Sequence, residues 1–168
     1  MSEKWEIEYL ELLKNIFSQK VLSADIEELE GKPSLVLTLH SPVKGDMVDI
    51  QFTIEHLIEN TDQMQIMTSM FTGVEESKIG GLEKIIMKLN EFLTLGNIGI
   101  FYEAGQIFYN HAFVFDRNTE VSAVTAILGT TLDIITATVI NAMKILYPVV
   151  SGEITAEILL AQELDIIQ

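Results

Sequence analysis

Thirty residues, Val121 to Val150, carry only two charges, Asp133 and Lys144, in a chain that is otherwise strongly acidic. A band like this must be buried in a core, cross a bilayer or be covered by a partner. The two charges cut it into uncharged runs well short of the ~18 apolar residues that a spanning helix needs. Thr125, Thr130, Thr131, Thr136, Thr138 and Asn141 dilute it further. The expectation is a long buried helix, capped by Asn118 or Thr119 and ended by Pro148. Val121, Val124, Leu128, Leu132, Ile135 and Val139 form its main apolar stripe.

The other elements follow from periodicity. Trp5, Tyr9, Leu12, Leu13 and Ile16 recur at helical spacing, with Glu3, Glu6, Glu8 and Glu11 mostly elsewhere on the wheel. Leu22, Ala24 and Ile26 alternate as a strand, and Glu30-Gly31-Lys32-Pro33 is a turn. Leu35, Leu37 and Leu39 line a second strand, Ser41 to Asp46 connects, and Val48, Ile50, Phe52 and Ile54 mark a third. Met64 to Thr72 reads as a fourth, apolar on both sides. Lys78 to Leu95 returns to helical spacing with Gly96 as its stop. Two strands, Ile98–Glu103 and Gln106–Phe115, then precede the long helix, and a short helix from about Glu153 to Leu164 closes the order. Strands grouped between helices with hairpin-length links predict the α+β class, with an antiparallel sheet packed against helices in the order α-β-β-β-β-α-β-β-α-α. Residues 1–150 are expected to form a single domain, with 151–168 as its C-terminal helical extension.

Charge narrows the partners. With 25 acidic against 10 basic residues the net charge is −15, and the single arginine is Arg117, so nucleic acid and anionic membrane surfaces are disfavoured. Residues 119–168 contribute −5 of that charge and residues 1–118 the other −10. No cysteine is present, which excludes disulfides, thiolate metal sites and cysteine nucleophiles. The first residues lack the basic region and apolar run of a secretory signal, so the expected compartment is the cytoplasm.

Residues that could carry chemistry are few. His56 and Glu59 have a helical metal-binding spacing, but the segment reads as a strand, so His56 is expected to be a surface histidine at a strand end. His40 should be solvated. His111 falls within an aromatic strand, and Asp133 is an isolated acid in a nearly uncharged helix. Either would serve an enzyme only if a cleft gave it a second polar group. Ile79-Gly80-Gly81-Leu82 lacks the lysine and glycine spacing of a phosphate loop, and GxGxxG, GxSxG and HExxH are missing. No cofactor or metal is expected. Met64, Met67 and Met70 lie in one strand, with Met67 on the opposite side from the other two. Met67 with Phe71 would make a partner-binding stripe if exposed, since thioethers suit adaptable surfaces.

Leu89-Asn90, then Ile98-Gly99-Ile100-Phe101-Tyr102 and Ala104-Gly105-Gln106-Ile107-Phe108-Tyr109, resemble a pattern shared by the YbjN family and the class I type III secretion chaperones. In both, a leucine-asparagine pair late in a helix precedes a glycine-containing strand, a turn glycine, a second strand and a long C-terminal helix. This chain departs from the pattern by an extra strand before the second helix, a longer third helix and an added final one. The resemblance implies a chaperone-like fold, and a regulatory or chaperone-like role without a defined active site.

Together these readings predict a non-enzymatic protein-interaction module that holds a protein segment on an apolar face and forms a homodimer. Ile127, Ile134 and Ile145 are the candidate dimer face, opposite the stripe that covers the sheet. The alternative is a small-ligand sensor, with a pocket between sheet and long helix lined by Tyr102, Tyr109 and His111. A further alternative is an enzyme using Asp133 or His111.

Overall fold

The computed structural model describes residues 2–19, 21–41, 43 and 47–162. Its elements are α1 (Ser2–Phe17), β1 (Ser23–Leu29), β2 (Lys32–His40), β3 (Met47–Ile58), β4 (Thr61–Phe71), α2 (Glu76–Asn90), β5 (Asn97–Phe101), β6 (Gln106–Asp116), α3 (Val121–Ser151) and α4 (Ala156–Ala161). This is the predicted order in the predicted class. The expected roles of Glu3, Val121 and Leu164, and most of the connection from Ser41 to Asp46, lie outside the described side chains or residues.

The six strands form one antiparallel sheet in the order β1-β2-β3-β4-β6-β5. β5 occupies the edge because α2 carries the chain past the position beside β4, which β6 then fills on its return. Alternation decides the rest. Leu35 and Leu37, Ile50 and Phe52, Met64 and Ile66, and Tyr109 are fully buried on one face, which the helices cover. The intervening residues, Gln51, Thr53, Gln65 and Met67, stand on the other face. The β1–β2 link is a two-residue turn in which both Glu30 (φ 53°) and Gly31 (φ 77°) are left-handed. That geometry matches the twist of paired strands.

Several boundaries differ from the sequence reading for identifiable reasons. The buried stripe of α1 is Tyr9, Leu10, Leu13 and Phe17, whereas Leu12 and Ile16 are 44 % and 45 % exposed. Both stripes are compatible with helical spacing, and packing against β1 and β2 selects one of them. Helix α2 stops at Asn90, five residues before Leu95. There the Asn90 side chain leaves the helix pattern to bind β5: its Nδ2 donates to the Ile98 carbonyl (2.9 Å), and its Oδ1 accepts from the Ile98 amide (2.8 Å). One amide thus replaces a strand neighbour at the start of β5. Helix α3 runs through Pro148 and ends at Ser151, where Gly152 (φ 81°) caps it. Pro148 removes one ladder bond in the last turn without ending the helix. α4 packs on α2 where Gly81 faces Ala156, with no room for a side chain on Gly81.

Gly96 makes the connection from α2 to β5 possible. It has φ 68°, and a Cβ there would lie 2.4 Å from the Tyr109 hydroxyl, which itself donates to the Leu95 carbonyl (2.9 Å). Gly96→Ala therefore combines backbone strain with a clash against a fully buried ring, and should cost about 2–4 kcal/mol. Urea denaturation of the variant beside the wild type measures this, and an unchanged midpoint would contradict it.

Candidate functional site

The anticipated residues distribute over three separate places. Tyr102 is in the β5–β6 turn, 56 % exposed, and its hydroxyl donates to Glu83 of α2 (2.6 Å). Tyr109 is wholly buried with its hydroxyl committed to Leu95, and burial pushes its pKa up to about 12. His111 shares the helix-covered face with Tyr109, and burial lowers its pKa. No hydrogen bond to the His111 ring is present among the described residues. These three side chains do not converge, so the pocket expected from them is not formed. One is spent on a surface tether, one on the core and one on a partly buried strand position.

Met67 and Phe71 do not make one stripe either. Met67 stands half-buried on the uncovered face, while Phe71 packs against the core. An irregularity between Ser69 and Phe71 shifts the β4–β6 register. An extra residue reverses the side to which every later residue points. The uncovered face is nonetheless concave. Leu29 and Glu30, at the β1 edge of the sheet, line the same hollow of ≈ 530 Å³ as Phe101 of the opposite edge strand β5 and Gln106 of the neighbouring β6, so the sheet curls over it. Ser34 and Val36 are buried there although none of the described helices lies above them. Gln51, Thr53, Gln65 and Met67 form the floor, and a Lys32–Glu55 ion pair stands at the rim. Phe101 stacks on Phe108 at 4.2 Å, and Gly99 leaves space for the Phe108 ring.

One charged cluster went unread in the sequence. Asp62, with a side chain 1 % exposed, accepts two hydrogen bonds from Arg117, from Nε to Oδ2 (2.8 Å) and from Nη2 to Oδ1 (2.7 Å). His56 Nδ1 is 2.9 Å from Asp62 Oδ1 and 2.8 Å from Arg117 Nη2. The guanidinium also lies over the Trp5 ring, 5.0 Å from its centroid. The partner of His56 is thus Asp62 rather than Glu59. Two signals were available: Arg117 is the chain's single arginine, and Asp62 continues the inward alternation Met64, Ile66, Thr68 by one step. A strand taken to begin at Met64 omits it. The cluster fastens the start of α1, the β3–β4 hairpin and the end of β6. It is a structural clasp with one half-exposed imidazole.

The third place is the outer side of α3. Its inner side buries Val124, Leu128, Leu132, Ile135, Val139, Met143 and Leu146. Of the three isoleucines expected opposite, Ile127 is 58 % exposed, but Ile134 and Ile145 are half-buried, and Ile145 packs against the core. A helix advances 100° per residue, and the fully outward line passes instead through Ala126, Asp133, Ala137 and Lys144, flanked by Ala123, Thr130 and Asn141. Asp133 also borders a shallow apolar hollow of ≈ 330 Å³ with Val21, Leu39, Thr136, Ala137 and Ile140. The outer face therefore carries small side chains and few charges, and is largely exposed among the described residues.

The Asp62 clasp has a pH signature. The hydrogen bonds from Arg117 hold the Asp62 carboxyl below its ordinary value of 3.8. Its stabilisation is fully present above that value and is lost as the pH falls through the depressed one. In acid titration followed by circular dichroism, Asp62→Asn should be less stable than the wild type at pH 7. The difference should shrink as the pH drops below about 4. A constant difference across that range would assign the effect to packing.

No family model matches the chain, and no curated protein matches it.

Proposed function

We propose that this chain is a protein-interaction module without catalytic activity of its own, and that it self-associates through the outer face of α3. One observation carries the reading. Ser122–Ser151 is long and apolar enough to cross a membrane by length and composition, with a mean hydropathy of 1.8 over its most apolar 18 residues, yet only a third of that stretch is buried. Of the remainder, Ile134, Thr136, Thr138 and Ile140 are half-buried, while Ala123, Ala126, Ile127, Thr130, Asp133 and Ala137 are exposed, within a chain of net charge −15. A surface strip with so few charges in so acidic a chain favours a partner.

A protein partner fits better than a bilayer. Leu128, Ile135, Val139 and Leu146 of the same helix are buried in the core, and a spanning orientation would strip them from the sheet. The acidic surface is also repelled by anionic lipid. The resemblance to YbjN-like proteins and type III secretion chaperones points the same way, towards a module that works by binding. A cytoplasmic setting accords with this reading.

The sheet's concave face favours a second reading, a small-ligand sensor. Its observation is the hollow floored by Gln51, Thr53, Gln65 and Met67, with amide groups facing solvent beside an aromatic stack. Such a lining suits an uncharged ligand with both donors and acceptors.

Light scattering over a concentration series tests the first reading. The wild type should show the mass of two chains, and Ala126→Glu/Ala137→Glu should raise the dimer dissociation constant by roughly 100-fold or more. A single-chain mass up to roughly 0.5 mM would overturn it.

A further inference from the structure

We infer that the concave face of the sheet binds a short, uncharged oligosaccharide. The inference rests on the ligand-sensor reading of that face and adds the class of ligand.

Cross-strand pairing sets the floor of the hollow in two polar rows. Ser34, Thr53 and Gln65 stand side by side on β2, β3 and β4. Gln51, Met67 and Asn110 make the next row, from β3 to β6. Neighbouring strands lie about 4.8 Å apart, so donors and acceptors recur at that interval across the face. Few of them are used within the chain. The Ser34 and Thr53 hydroxyls share one hydrogen bond (3.0 Å), which leaves each with capacity to spare. Among the described residues the carboxamides of Gln51 and Gln65 have no hydrogen-bond partner. The Asn110 Oδ1, beside the flexible thioether of Met67, is buried without one. It is an exception to the pairing of buried polar atoms, and a hydroxyl donor would satisfy it.

One wall is flat and apolar. Phe101 lines the hollow, stacks on Phe108 at 4.2 Å with 20° between the planes, and stays 47 % exposed. Gly99 makes the stack possible, because a Cβ there would come within 2.6 Å of the Phe108 ring. Glycine inside a strand weakens it, and such positions mark bends or close approach. The electron-rich face of an aromatic ring attracts weakly positive C–H groups. A pyranose presents C–H groups on its face and hydroxyls around its edge. It therefore matches both Phe101 and the amides and hydroxyls of the floor.

Extent and charge select a short neutral chain of such rings. The hollow of ≈ 530 Å³ reaches from Leu29 on β1 to Phe101 on β5, the two edge strands. Across six strands this is about 24 Å along the sheet. A single planar heterocycle would engage the aromatic wall and leave most of the floor unused. The lining charges are Glu30, Lys32 and Glu55, and Lys32 is committed to Glu55. In a chain of net charge −15, acidic and phosphorylated sugars are repelled.

Titration followed by ¹H–¹⁵N NMR tests this, with the side-chain amides of Gln51 and Gln65 as reporters. Maltotetraose, cellotetraose and tetra-N-acetylchitotetraose are the neutral probes, with tetragalacturonate and adenosine for comparison. The wild type should bind at least one neutral tetrasaccharide with Kd below about 1 mM, shift both reporters, and leave tetragalacturonate unbound. Phe101→Ala and Gln65→Ala, each checked for unchanged circular dichroism, should each weaken binding by roughly tenfold or more. If adenosine shifts the reporters and no tetrasaccharide does, the class of ligand is wrong and the site stands. If no probe binds, or a bound sugar is indifferent to both substitutions, the class and the site fall together.

Discussion

Among the described residues helices pack on one face of the sheet, and most of the architecture depends on how that face is covered. Leu35, Leu37, Ile50, Phe52, Met64, Ile66 and Tyr109 all point to it, and each is withdrawn from water by a helix whose inward stripe meets it. Burial of these side chains contributes on the order of 1.5–3 kcal/mol each before chain entropy is set against it. α3 is the longest of the covering elements and leaves an apolar remainder outside. The same length that lets one helix seal a broad sheet also leaves it an outer face with little charge.

Polar fastenings then fix elements that hydrophobic burial alone would leave free to slide. Asn90 holds β5 by two hydrogen bonds of its amide, and the cluster of Asp62, Arg117 and Trp5 ties three chain segments at the opposite end of the strands. Breaking one partner of a buried pair is costly because the remaining group is left without a counterpart. These contacts specify register more than they add stability. Asn90 accounts for the asparagine late in this helix, while the glycine of β5 is accounted for separately, by the Phe108 ring that a side chain at Gly99 would meet.

Much of the fold was legible because alternation and helical spacing survive even where local detail is lost. β3 reads directly, since Val48, Ile50, Phe52 and Ile54 alternate with polar residues and pack as such. The periodicity marks β4 only from Met64, three residues after its start at Thr61, which leaves Asp62 outside it. The bulge near Met70 then moved Phe71 to the other face, and no residue type announces a bulge there. The site was less legible. Tyr102, Tyr109 and His111 are neighbours in sequence, but a turn, a buried position and a half-buried one separate their chemistry. The isoleucines of α3 were placed a fraction of a turn off, because the position of the buried arc depends on where the sheet lies.

Local pattern alone sets the elements, their order and the near-neutral character of the long helix. Each of these follows from the periodicity and charge of a contiguous segment. The tertiary structure decided which side of α1 and α3 is buried, where α2 ends, and that Asp62, His56 and Arg117 meet. It also decided that the sheet curls into a concave outer face. Such outcomes depend on contacts between segments tens of residues apart, and the energy that selects them appears only when those segments pack.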